Sequence, residues 1–171
     1  SFGIRPDVFR DYVQDVLHGL HHSGFRRLAV INGHGGNNAA LKEAAYALYE
    51  QTGAQVCVVH WWLLCADVCR EVFGQSGGHA GCDETAMVMA AAPESVRQDL
   101  YSQDLAFEHH PAVDIYPAPS SIMLYTKGEG HPVFDPKLCN QYARAATGKV
   151  QSYLLELWKA WDHMLTPARR S

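Results

Sequence analysis

Hydrophobic and polar positions follow two rhythms along this chain. After Pro6 and Asp7, Val8, Tyr12, Val13, Val16, Leu17 and Leu20 recur at three- and four-residue spacing, which predicts an amphipathic helix ended by Gly24. Arg27–Ile31 (RLAVI) is a short apolar run of the kind that forms a strand buried on both faces. A polar, glycine-rich break follows, and from Asn38 the chain turns to strong helix formers that stop at Gly53. Ala54–His60 (AQVCVVH) is a second buried-strand candidate, followed by Trp61 and Trp62. The strand–helix–strand order predicts a parallel βαβ unit with a right-handed crossover.

Further on, the pattern predicts a helix over about residues 63–73, a glycine-rich loop (GQSGGHAG), and a helix over about 83–92 that stops before Pro93. Residues 96–119 hold three prolines, His109 and His110, and predict mainly loop with one short strand. Asp135-Pro136 opens a long final helix to about His163, with Tyr142, Ala145, Ala146, Val150, Tyr153, Leu154, Leu157 and Trp161 on its apolar side. No internal repeat or low-complexity segment interrupts this. The reading is an α/β fold, layered helix–sheet–helix, in a single domain over residues 1–171.

Composition narrows the classes. At 47% hydrophobic and 19% charged residues the chain is globular, not disordered. A formal charge of -4 and scattered Lys and Arg, dense only at Arg169 and Arg170, argue against a nucleic-acid partner. No run of 18 apolar residues exists, so no membrane span is expected. Five cysteines with no CxxC pair predict reduced, packed thiols and a cytoplasmic location.

Two loops carry the chemistry. Asn32–Asn37 (NGHGGN) follows a strand and precedes a helix, the position where open parallel sheets bind ligands. Its glycines permit positive φ and close ligand approach, and its asparagines can fix the turn by bonding nearby backbone. His34 is its only side chain able to bind a metal or move a proton at neutral pH. The alternative is a tight βα turn whose histidine is merely exposed. No GxxxxGK[ST] or GxGxxG pattern supports nucleotide binding. In Gly77–Thr85 (GGHAGCDET), His79 is a candidate general acid or base and Glu84 a candidate metal-binding carboxylate. Against this, Asp83 and Glu84 also suit a helix N-terminus by charge alone. Cys82 has no basic neighbour and reads as packing. Two such loops at one sheet edge would converge on one cleft, which argues for an enzyme acting on a small-molecule substrate.

NGHGGN after a VI-type strand, then HAG-x-x-E-T opening a helix, resembles the creatininase (creatinine amidohydrolase) family. The lead-in Gly24-Phe25-Arg26-Arg27 and the pair Trp61-Trp62 fit the same pattern. The resemblance implies a three-layer αβα sandwich with a mainly parallel sheet, a homo-oligomer (a hexamer), and one or two divalent ions, Zn, Mn or Fe. It implies His34 and Glu84 as metal ligands, His79 as the proton-shuttling histidine with Glu84 beside it in catalysis, and hydrolysis of a C–N bond in a cyclic or linear amide. Asn32, Gly35, Gly36, Asn37, His60, Trp61, Trp62 and Gly78 are the expected substrate-binding positions.

Departures matter as much. Creatinine-hydrolysing members carry Tyr and Glu where Gly35 and Gly36 stand, and a stacking Trp where Gln75 stands, so creatinine is not the expected substrate. The family's early Glu-x-His pair and bridging Asp have no counterpart before NGHGGN. Since Ser1-Phe2-Gly3 reads as mid-protein sequence, these are expected upstream, and the chain as about the C-terminal two-thirds of the fold. A ring-opening hydrolase of a sugar- or inositol-derived substrate and a catalytically degenerate subunit are the alternatives. Elsewhere, His21 and His22 suit a helix C-terminus. His109 and His110 sit in a loop and are ambiguous between plain loop residues and lining of a cleft or an interface, Lys127–His131 (KGEGH) is a candidate flexible lid, and Met87 and Met89 read as helix core.

Overall fold

A computed structural model describes residues 3–110 and 112–165; the dipeptide at the start and the arginines at the end lie outside them. The elements are α1 (Pro6–His22), β1 (Arg27–Asn32), α2 (Asn38–Thr52), β2 (Gln55–His60), α3 (Trp61–Leu64), α4 (Ala66–Phe73), β3 (Gly78–His79), α5 (Cys82–Ala91), β4 (Ala106–Glu108), β5 (Ile122–Leu124) and α6 (Pro136–Leu165). They form two compact units. One comprises the chain up to Trp61 and from Leu155 onward, the other Trp62–Leu154.

In the first unit β1 and β2 pair in parallel, in register from Arg27 opposite Gln55 to Asn32 opposite His60, with α2 as the connection. Gly53 closes α2 in the left-handed region (φ 69°), a conformation that glycine adopts without a Cβ clash. Leu17, Leu28, Ala44, Leu48 and Ala54 form the core, with Val13, Val30 and Val56 against it. The expectation that β1 is buried on both faces is not met. Leu28 and Asn32 are buried, whereas Ala29 and Ile31 face outward. Helix α1 divides likewise: Val13 and Leu17 meet the core, and Val8, Tyr12, Val16 and Leu20 are exposed. Arg27 is tied to Gln55 (2.7 Å) and to Asp162 of α6.

The second unit holds a three-stranded sheet in the order β3-β5-β4, with β3 antiparallel and β4 parallel to β5. Two of the molecule's three described strand pairings are thus parallel. The helix expected over 63–73 breaks into α3 and α4 at Cys65, which is buried and donates its thiol to the Ala146 carbonyl (3.6 Å). Tyr142 of α6 is fully buried with its ring 5.2 Å from Phe73. Cys65, Cys69, Cys82 and Cys139 are buried and Cys57 partly so, all as free thiols, as packed cysteines should be. Met87 and Met89 are only half-buried, so they flank the helix core. Among the described residues no helix is long and apolar enough to cross a membrane.

Lys127–His131 is not a free lid. Glu129 accepts the Ser76 N–H (2.8 Å) and the Arg70 guanidinium (3.0 Å), and Gly128 N–H reaches Glu108 (3.0 Å). Gln75 spans the same gap, accepting from Gly130 N–H (2.9 Å) and donating to the His131 carbonyl (3.3 Å). Gly128 and Gly130 take positive φ (69° and 95°), so this tight turn depends on their lacking a Cβ.

Two outcomes follow. Leu48→Ala leaves a cavity at a fully buried site and is expected to lower unfolding free energy by about 2–5 kcal/mol, read by urea denaturation. The Ser76 N–H and Arg70 hold the Glu129 carboxyl below its ordinary value of 4.5. Its contribution is therefore present above that value and lost as pH falls through the lower folded-state value. The urea midpoint of Glu129→Gln is expected below wild type at pH 7, with the gap closing below about pH 4; a gap constant with pH would refute the clamp's ionic character.

Candidate functional site

The loop Asn32–Asn37 is organised by one buried amide. Asn32 ends β1 with only 2% of its surface exposed. Its Oδ1 accepts the His34 backbone N–H (3.1 Å) and the Asn37 amide (3.4 Å). Its Nδ2 donates to Asn38 Oδ1 (2.8 Å) and to His60 Nδ1 (3.0 Å). A backbone N–H can only donate, so the His34 contact fixes which end of the amide is oxygen. It follows that His60 accepts at Nδ1 and carries its proton on Nε2. All four hydrogen-bonding positions of the Asn32 amide are then used, and its role is to position His34 and His60.

His34 itself is exposed and precedes a single 3-10 turn, Gly35–Asn37, with Asn37 N–H returning to the His34 carbonyl (3.1 Å). Positive φ is not what the glycines supply, since Gly33, Gly35 and Gly36 are absent from the positive-φ positions. Gly36 supplies clearance: a Cβ there would lie 2.7 Å from His34 Nε2 and displace the ring. Trp61 is half-buried at the start of α3.

The second loop is built more tightly. Asp83, 4% exposed, accepts the Gly78 N–H (3.1 Å), and Glu84 accepts the Ala80 N–H (2.6 Å). These bonds fold two side chains of the first turn of α5 back onto the loop before it. Burial pushes the Asp83 carboxyl above its ordinary value, against the lowering effect of the Gly78 N–H. A Cβ on Gly77 would meet the Asp83 carboxylate at 2.3 Å, and one on Gly81 would meet the Gly130 carbonyl at 2.6 Å. Ala80 between them has φ +51°, uncommon for a residue with a side chain. Such strain persists where the surrounding structure imposes it, often at functional loops.

His79 and Glu84 emerge together from this frame. His79 Nδ1 lies 3.6 Å from Glu84 Oε2, with the two side chains 41% and 30% exposed. They line a cavity of about 200 Å3 with Trp62, Gly78, Asp83 and Tyr125. Cys82 points elsewhere, 3.5 Å from the Cys69 sulfur and donating to the Ser76 carbonyl (3.3 Å). Its thiol is pushed up by the bond to Cys69 and by burial, as befits packing and not nucleophilic chemistry.

Tyr125 was missed by the sequence reading. It follows β5, where Ile122 and Leu124 are buried, and pairing of Leu124 with Gly78 brings it beside the glycine loop. Burial raises its phenol above the ordinary value, as do Glu84 and Asp83. His109 packs edge-on to its ring at 5.7 Å. The short apolar run Ile–Met–Leu–Tyr was the available signal, at a length too short to distinguish from loop.

The two loops border different sheets, so the expectation of one shared sheet edge is not met. The structure joins Asn32, the His34 backbone, Asn37 and His60 in one unit, and Trp62, Gly78, His79 and Glu84 in the other. A zinc-type ion takes four donors in a structural site and three protein donors in a catalytic one. Among the described residues no group of three His, Cys, Asp or Glu is placed to hold an ion. His34 and Glu84 do not make a metal site on these residues alone.

The family model for creatininase, creatinine amidohydrolase, matches residues 1–146. No curated protein matches the sequence. Among solved structures, a mutant creatininase complexed with creatine matches with a TM-score of 0.73 at 19% identity, over 91% of this chain and 66% of its own. A mutant creatininase of Zn-Zn type matches at 0.69 and 18%, over 91% and 66%. A creatininase described as Mn matches at 0.62 and 20%, over 87% and 64%. At such identities the likeness shows the α/β fold, and the chain spans just under two-thirds of the length of these structures. With the family model covering most of the chain, this protein belongs to the creatininase family.

Proposed function

We propose that the protein hydrolyses the C–N bond of a small cyclic or linear amide. The observation that carries this is the His79–Glu84 pair, held at 3.6 Å on a rigid loop at the wall of a cavity. In this reading water adds to the amide carbonyl carbon, the C–N bond breaks, and His79 passes a proton to the departing nitrogen, the step that makes an amine a viable leaving group. Glu84, oriented by the Ala80 N–H, stands beside the His79 ring in this step. Trp62 and Tyr125 give the cavity flat apolar walls with polar edges, suited to a planar amide.

Creatinine itself is disfavoured. Gln75 stands where a stacking aromatic would be needed, and its amide is bound to Gly130 and His131. In the other loop, Asn32, Gly35, Gly36 and Asn37 support substrate binding through the placement of His34 and His60. His34 and Glu84 are each assigned as a candidate metal donor, and no step is routed through an ion. The second reading is a family member that keeps the fold without the chemistry.

His79→Ala is expected to lower kcat/KM for an amide substrate by about 10²–10⁴-fold, measured as ammonia or amine release from a panel of cyclic and linear amides. Elemental analysis after purification with Zn and Mn present is expected to find bound metal that falls in His34→Ala and Glu84→Gln. Undiminished turnover in His79→Ala would remove the assignment. Metal-free wild-type protein without activity on the whole panel would establish the non-catalytic reading.

A further inference from the structure

A second cavity shares Glu84 with the one that holds His79. It has a volume of about 480 Å3, within the range of small-molecule sites. Its walls are chiefly Val88, Val96, Leu100, Leu105, Ile122 and Phe134. Three of these are unusually open for large apolar side chains: Leu100 is 63% exposed, Leu105 48% and Val88 44%. Most polar side chains at its border are already engaged. Arg97 makes a two-pronged pair with Asp99 (2.9 and 2.6 Å), the Tyr101 hydroxyl meets His131 Nδ1 at 3.0 Å, and Thr85 donates to the Ala80 carbonyl (3.4 Å). Phe134 is held against the Tyr101 ring at 5.3 Å. The cavity therefore offers a ligand apolar wall and, at one border, the Glu84 carboxylate.

We propose that this chamber seats the apolar portion of the substrate, so that the enzyme prefers amides carrying an aliphatic or aromatic substituent of several carbons. The assignment rests on the amidohydrolase reading above. Glu84 belongs to both cavities, so a substrate reacting beside His79 has an apolar wall within reach of its substituent. A compact, wholly polar substrate would leave Leu100, Leu105 and Val88 in water. Each methylene that enters such a wall improves binding by roughly fourfold when fully buried.

The test is a homologous series, acetamide, butanamide and hexanamide, with the full chain. Binding is followed by ligand-observed NMR and hydrolysis by ammonia release. Hexanamide is expected to bind at least about tenfold more tightly than acetamide. Leu100→Asp and Leu105→Asp, at positions 63% and 48% exposed and checked for an unchanged circular dichroism spectrum, are expected to abolish that preference. Equal affinity across the series, or a preference that survives both substitutions, overturns the proposal. Selective binding of hexanamide without ammonia release keeps the apolar seat and removes the amidase reading. Equal hydrolysis of all three keeps the amidase reading and removes the seat. A flat series with a dimer in sedimentation that Leu100→Asp dissociates would assign the surface to a second copy instead, and also overturns the proposal.

Discussion

Everything in the His79 loop depends on two carboxylates turning back on the backbone that precedes them. A helix begins with unsatisfied N–H groups and a positive end, and Asp83 and Glu84 lie in the first turn of α5. Their oxygens also reach back to the N–H groups of Gly78 and Ala80. That choice draws the loop tightly onto the helix start. It leaves no room for a Cβ at Gly77 or Gly81, and it accompanies the left-handed conformation of Ala80. The direction of His79 is a consequence of this frame and of its pairing opposite Met123. A histidine on a loose loop would spend binding energy on being ordered; here that ordering is built into the fold.

The NGHGGN loop solves a similar problem with a neutral group. Asn32 is buried at a strand end, where a carboxylate would meet a desolvation penalty with no cation beside it, and an amide both donates and accepts. Its donors go to Asn38 and His60 and its acceptor to the His34 N–H and Asn37. One side chain thus links β1, β2 and the start of α2. The glycine that matters there is Gly36, and it matters to the His34 ring and not to the backbone.

Helices α1, α2, α5 and α6 and the parallel pairing of β1 with β2 were legible because each rests on local signals: apolar period, glycine stops and proline starts. His79 and Glu84 stood out as candidates because glycines crowd the loop that holds His79 and Glu84 opens the helix after it. Three things were not. The facing of Ala29 and Ile31 depends on which neighbours cover a strand, and an apolar run carries no such label. The role of Asn32 lies in contacts with a strand 28 residues away. The sheet that contains His79 is assembled from strands of two or three residues, below the length at which alternation means anything. Tyr125 was hidden for that reason, and so was the tying down of Lys127–His131, which looks flexible by composition and is held by Glu129, Gln75 and Glu108.

The clamp at Glu129 bears on the chemistry through shared neighbours. Ser76 donates its N–H to Glu129 and sits one residue before Gly77, whose missing Cβ accommodates Asp83. Gly130, next to Glu129, supplies the carbonyl that takes the Cys82 N–H (3.0 Å) and crowds Gly81. The turn at 126–130 therefore buttresses the same loop from outside that Asp83 and Glu84 hold from within. In the proposed amidohydrolase reading, a loop supported on both sides would leave discrimination between substrates to the walls around Glu84, Trp62 and Tyr125 on one side and the apolar chamber on the other.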